Sequence, residues 1–181
     1  MDSRLPDACD HVLLDSQAIC TRVCELGSQI EQDYRGQDLR LVTVLKGGLY
    51  FMADLARCID LPLNMDFMAV SPYSAGMGGV VRVTKDLSDD IEGASVILVE
   101  DVVDTGLTVN YVLSLLRAHN PARLDICTLL DKPARRIAQV PVSYRGFEMP
   151  DRFLVGYGLD LDGQYRNLPC VASLRDEAVL A

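Results

Sequence analysis

Apolar residues recur at Ile19, Val23, Leu26 and Ile30 behind a polar Asp15-Ser16 pair, which predicts an amphipathic helix over residues 15–35 capped by Asp15 or Ser16. The pattern then changes. Leu39 to Leu45 is a run of aliphatic and β-branched residues. After Lys46-Gly47-Gly48, helical spacing returns at Leu49, Met52, Ala53, Ala56 and Ile59. Strand, glycine turn and helix follow in that order. The unit recurs: Ser95 to Val99 is a continuous apolar run suited to a buried parallel strand, and Val109, Val112, Leu113 and Leu116 give the next helix its core face. Leu63 to Ala69 alternates, Leu124 to Leu130 follows the Asn120-Pro121 break, and Phe153 to Gly156 is a further candidate strand. Strands alternating with helices predict an α/β fold with a central parallel sheet and right-handed crossovers.

Between residues 71 and 94 the periodicity fails. Ser71-Pro72-Tyr73-Ser74-Ala75-Gly76-Met77-Gly78-Gly79 precedes Val80–Val83 and an acidic stretch. That density of glycine predicts a flexible hairpin of lid type. No internal repeat, low-complexity tract or linker interrupts the 181 residues, a length suited to one domain.

Composition narrows the chemistry. Apolar residues make up 49% and charged residues 24%, which supports a packed core. The net charge of −9 argues against a surface that tracks nucleic-acid phosphates. Neither a signal peptide nor an apolar run of membrane length is present, so the expected location is cytoplasmic. Six cysteines (Cys9, Cys20, Cys24, Cys58, Cys127, Cys170) show no CxxC pair and are expected to be thiols, acting as small buried hydrophobes. Cys20 and Cys24 share a helical face but lack partners for a zinc site. The only histidines, His11 and His119, lie outside every motif.

The segment Val96-Ile97-Leu98-Val99-Glu100-Asp101-Val102-Val103-Asp104-Thr105-Gly106-Leu107-Thr108 carries most of the chemistry. A buried strand is expected to end at two adjacent carboxylates. The chain then turns through Asp104-Thr105-Gly106 into a helix whose free backbone amides and threonine hydroxyls make an anion cradle with acids on its rim. Capping alone accounts for one oxygen, not three carboxylates within five residues.

Val99 to Thr108 resembles the phosphoribosyl-diphosphate signature of type I phosphoribosyltransferases in its hypoxanthine-guanine form. Leu45-Lys46-Gly47-Gly48, Ser71-Pro72-Tyr73, Leu130-Asp131-Lys132-Pro133 and Phe153 to Asp160 with Arg166 extend the match over about residues 40–170. The resemblance implies a type I phosphoribosyltransferase fold of one domain, residues 1–181. It would have a small hood contributed by the terminal segments and a closing loop at about 71–94 that includes Tyr73. It also implies purine salvage: magnesium-dependent transfer of phosphoribosyl from phosphoribosyl diphosphate to hypoxanthine or guanine, by a homodimer or homotetramer without nucleic-acid or membrane partners.

Residue roles follow from the same resemblance. Phosphoribosyl diphosphate would be held by Lys46, Gly47, Glu100, Asp101, Asp104, Thr105, Gly106, Leu107, Thr108 and Arg166. Asp104 would be the catalytic base beside purine nitrogen 7, accepting its proton and facing the ribosyl cation. The purine would meet Lys132 at its 6-oxo group, Phe153 by stacking, Leu154 through its backbone, and Asp160. Mg2+ would be bound by Glu100, Asp101 and Asp160. The resemblance allows a cis peptide between Leu45 and Lys46. Relatives carry Ser-Tyr in the closing loop where this chain has Pro72 before Tyr73, and proline removes a backbone donor there.

Two alternatives belong to other classes. One is a regulatory protein on the same fold that senses phosphoribosyl diphosphate and binds RNA or DNA; the net charge and the joint presence of Asp104, Lys132 and Arg166 disfavour it. The other is a dinucleotide-dependent oxidoreductase, but Gly76-Met77-Gly78-Gly79 does not stand between a strand and a helix as a phosphate-binding glycine turn must.

Overall fold

The computed structural model describes residues 5–72 and 81–179. Six strands form the main sheet: β2 (Leu39–Leu45), β3 (Leu63–Pro72), β4 (Val81–Lys85), β5 (Ser95–Val103), β6 (Arg123–Asp131) and β7 (Tyr144–Glu148), in the spatial order β4-β3-β2-β5-β6-β7. All neighbours pair in parallel except β3 with β4. The α/β expectation therefore holds, with one antiparallel edge where β3 and β4 form the arms of a hairpin. Residues 73–80, with Tyr73 and Gly76-Met77-Gly78-Gly79, lie outside the described residues, so the expected closing loop is described only by its flanking strands.

Helices α1 (Ser16–Asp33) and α2 (Leu49–Arg57) cover one face, and α3 (Leu107–Ala118) covers the other. Alternation along the strands explains both layers. Leu41, Ile97 and Val99 pack with Ile19, Val23, Leu26, Ile30, Phe51, Met52 and Leu55, whereas Val42, Val96 and Leu98 pack with Val109, Val112, Leu113 and Leu116. Asp15 is the N-cap of α1, its Oδ1 accepting from the Ala18 amide at 2.8 Å. Replacing it with Ala is expected to cost about 1 kcal/mol, measured by urea denaturation.

β2 feeds α2 on one face and β3 to one side. β5 feeds α3 on the other face and β6 to the opposite side. The neighbouring carboxyl ends of β2 and β5 are thus a topological switch point, the place where open α/β sheets leave a ligand crevice.

A separate antiparallel sheet, ordered β1-β9-β8, joins β1 (Cys9–Leu14), β9 (Val171–Leu174) and β8 (Leu154–Val155), and it has its own small core of Cys9, Val155, Ala172 and Leu174. Leu154 and Val155 therefore belong to this sheet rather than to the main one. Tyr157 Oη donates to Asp54 Oδ2 at 2.7 Å and ties this side of the molecule to α2.

Two expectations need correction. The strand that was to end at Glu100-Asp101 continues to Val103, because β6 offers a ladder partner that far: Glu100 pairs with Thr128, Val102 with Leu130 and Val103 with Asp131. The cysteines are also not uniformly buried thiols. Cys9 and Cys127 are buried, but Cys20 and Cys24 are exposed, and Cys24 is joined to Cys58 through sulfur with Cα atoms 5.0 Å apart. Gly27, one turn beyond Cys24, explains the approach: a Cβ there would overlap Cys58 itself, so the end of α2 lies directly on α1. No described helix is long and apolar enough to cross a membrane.

Candidate active site

A cavity of about 360 Å3 opens beside the carboxyl end of β5, lined by Asp101, Val102, Asp104, Lys132, Arg135, Phe153, Leu154, Leu159 and Asp160. Three separate stretches of chain supply it: the end of β5, the turn after β6, and the segment around β8. Six of the residues singled out from the sequence meet here, namely Asp101, Asp104, Lys132, Phe153, Leu154 and Asp160. A larger cavity of about 500 Å3 lies among α1, α2 and residues 167–169, but its lining is mostly apolar and contains none of these six.

Lys46 and Gly47 occupy the turn from β2 to α2, where the Leu45–Lys46 peptide is cis and Lys46 is exposed. Gly47 abuts Asp101 so closely that a Cβ would overlap the carboxylate. From the other side Gly158, at φ +102°, lies against the Gly47 carbonyl, again with no room for a Cβ. These two glycines let the β2 turn, the acid of β5 and the chain after β8 converge.

Glu100 is buried and Asp101 partly so. Burial and the neighbouring Asp101 charge push the Glu100 carboxyl well above the ordinary range. Burial also raises Asp101, opposed by the Val102 amide and the Arg166 charge and reinforced by Asp160. Adjacent acids raised in this way are short of positive charge, so a hard divalent cation suits them. Among the described residues no three acidic, histidine or cysteine side chains converge into a complete metal cage. The donor set instead fits magnesium, which takes one or two carboxylates and completes its shell with water and substrate phosphate oxygens.

Asp160 and Arg166 are paired, Nη2 to Oδ1 at 2.6 Å, while Arg166 Nη1 donates to the Gly158 carbonyl at 2.5 Å. Asp160 Oδ2 also accepts from the Gly163 amide at 2.7 Å. Thr105 to Thr108 leave β5 for α3, with Gly106 at φ +82° as the N-cap. Leu107 and Thr108 are exposed, and the Thr105 carbonyl accepts the amides of Ile137 and Ala138 at 2.9 and 3.0 Å. The cradle residues therefore stand at the start of the helix, adjoining the cavity rather than lining it.

Lys132 is buried, its Nζ donating to the Arg152 carbonyl at 2.6 Å. Burial lowers its pKa, while the charge of Asp104 raises it and that of Arg135 lowers it further. Phe153 is 40% exposed, which leaves a ring face at the mouth. Arg135 and Asp151 were not singled out from the sequence. Arg135 Nε stands 2.9 Å from Asp104 Oδ1, and its Nη1 donates to Asp151 Oδ1 at 3.2 Å. The available signal was proximity to Lys132, since Arg135 follows it by three residues and a single 3-10 turn (Pro133–Arg135) folds it back over the cavity.

Residues 12–162 match the family model described as a phosphoribosyl transferase domain. A hypoxanthine-guanine phosphoribosyltransferase of Mycobacterium avium is 50% identical over 171 residues, covering 90% of this chain and 84% of that protein. A crystal structure of a hypoxanthine phosphoribosyltransferase from Staphylococcus aureus superposes with a TM-score of 0.92 at 42% identity, covering 98% of this chain and 97% of the other. That of Trypanosoma cruzi in complex with its product IMP gives 0.91 at 37% identity, covering 96% and 98%.

Proposed function

The chain belongs to the phosphoribosyltransferase family, and we propose that its cleft serves purine salvage by joining hypoxanthine or guanine to the phosphoribosyl group of phosphoribosyl diphosphate, giving IMP or GMP and diphosphate. The observation that carries this reading is the convergence of Asp104, Lys132 and Phe153 in one cavity beside the carboxyl end of β5. A carboxylate, an ammonium and an aromatic face match a flat base that must lose a proton, present a carbonyl and stack.

In this reading the bond from purine N9 to the anomeric carbon forms as the bond from that carbon to diphosphate breaks, its electron pair leaving with the diphosphate. The proton on N7 passes to the Asp104 carboxylate, which also faces the positive charge gathering on the ribose. Lys132 donates to the 6-oxo oxygen. Phe153 stacks on the base, and Leu154 reads its edge through the backbone. Glu100 and Asp101 lie at the ribose hydroxyls, and Thr105 to Thr108 surround the 5-phosphate with backbone and hydroxyl donors. Lys46, Gly47 and Arg166 meet the diphosphate. Glu100, Asp101 and Asp160 would hold Mg2+, which would supply charge neutralisation for the leaving diphosphate.

The whole chain acts as one domain in this account, with the three-stranded sheet as its hood. A cytoplasmic setting and a homodimer or homotetramer complete it, the latter checked by light scattering. The substrate reading is tested by offering hypoxanthine, guanine, xanthine and adenine in turn with phosphoribosyl diphosphate and magnesium. Nucleotide from a 6-oxopurine and none from adenine is expected; adenine used as well as hypoxanthine contradicts it.

A further inference from the structure

Arg135 belongs to no role assigned so far, yet it stands between two acids at the mouth of the purine cavity. Its Nε is 2.9 Å from Asp104 Oδ1, and its Nη1 donates to Asp151 Oδ1 at 3.2 Å. Asp104 comes from the chain after β5, and Asp151 from the chain between β7 and β8. The guanidinium therefore bridges the two walls of the cavity. Lys132 lies within charge range of all three groups, which completes a cluster of two acids and two cations.

The turn that carries Arg135 is firmly anchored. The Arg135 amide donates to the Lys132 carbonyl at 3.1 Å, and the next residue, Arg136, reaches the buried Asp131 carboxylate. Arg145 Nε meets the other oxygen of Asp131 at 2.7 Å. Beyond the turn, the amides of Ile137 and Ala138 bind the Thr105 carbonyl, one residue past Asp104. The scaffold that places Arg135 is thus tied both to the end of β6 and to the loop that carries Asp104.

The contact itself has an unusual form. Arg135 is close enough to Asp104 to attract it, but their alignment is not that of a hydrogen bond. Asp104 Oδ1 is buried and has no hydrogen-bond donor among the described residues. A buried carboxylate oxygen without a donor normally carries a desolvation cost, so such an atom calls for an explanation. Here the explanation is the adjacent cation: Arg135 compensates Oδ1 by charge and holds the carboxylate in place, while the side chain as a whole is 38% exposed, which leaves its other oxygen for the N–H of an incoming base.

We propose that Arg135 is a positioning residue for Asp104, holding its carboxylate over the purine site through the bridge to Asp151 without occupying the oxygen that accepts the proton. This rests on the proposed transfer to a 6-oxopurine, with Asp104 as the proton acceptor. Catalytic carboxylates need placement within a fraction of an ångström, so loss of the cation should be felt in turnover more than in binding.

The test is a kinetic cycle of the full chain with hypoxanthine, phosphoribosyl diphosphate and magnesium, comparing wild type, R135A, R135K, D104N and the double variant R135A/D104N. R135A is expected to lower kcat roughly tenfold to a hundredfold with little change in either KM, and R135K to recover part of the loss. In the D104N background the same R135A change should have almost no further effect. Multiplying losses would overturn the inference, since Arg135 would then act on substrate independently of Asp104. So would a change confined to KM, or a lysine variant no better than alanine. If R135A melts below the assay temperature, R135Q takes its place in the cycle. Failure of the wild type to make IMP instead overturns the proposed transfer, and normal turnover by D104N overturns the role of Asp104, so the three failures are distinguishable.

Discussion

Asp104→Asn is expected to lower kcat for IMP formation by ~10²-fold or more, with KM for both substrates changed much less. The amide has nearly the size of the carboxylate and keeps its place in the loop after β5, so the cavity's shape survives. What disappears is a group that can take the N7 proton and face positive charge on the ribose as diphosphate departs. An interaction used only as the bond breaks is lost from kcat rather than from ground-state binding. Arg135, 2.9 Å away, also loses its anionic partner in this variant. Steady-state kinetics check the result, and near-normal turnover removes Asp104 from the role of base.

Lys132→Ala has the second large effect. Lys132 is buried beside the cavity, and its Nζ already binds the Arg152 carbonyl at 2.6 Å, so the ammonium stands ready to add or exchange an acceptor. An ammonium has donors only. It suits a 6-oxo oxygen and opposes the amino group of adenine. Removal is expected to cost roughly 1–3 kcal/mol of transition-state stabilisation for hypoxanthine, which is about fivefold to 150-fold in kcat/KM. The preference for hypoxanthine over adenine should fall with it. A competition assay with both bases measures the ratio, and unchanged kinetics reject the assignment of Lys132.

The elements most legible in the sequence were those with strong periodicity. α1, β2 and α2 appear close to their predicted bounds because Ile19, Val23, Leu26 and Ile30, then Leu39 to Leu45, each repeat one unambiguous pattern. Strands paired over short or polar stretches were not visible. β1 contains Asp10 and His11, β9 has four residues, and β7 carries Gly146, which is needed because a Cβ there would overlap the Leu129 carbonyl. Such strands owe their structure to a partner strand, which local pattern does not reveal.

The end of β5 shows the same limit. Glu100 and Asp101 looked like strand termination, yet pairing with β6 carries the ladder past them. The Cys24–Cys58 link depends on how α1 and α2 pack, which no spacing within either helix announces. In the site, the motif residues were legible because their chemistry is concentrated in short segments. Arg135 and Asp151 were not, since an arginine after Lys132-Pro133 and an acid after Pro150 look like ordinary surface charge until the fold sets them face to face.

The central claim is that one cavity both releases diphosphate and forms the bond to the purine. It is tested most directly by incubating the protein with hypoxanthine, phosphoribosyl diphosphate and magnesium and measuring IMP and diphosphate in the same samples. Equal amounts of the two, rising together, are predicted. Diphosphate without IMP, or neither product from folded protein, would contradict the account.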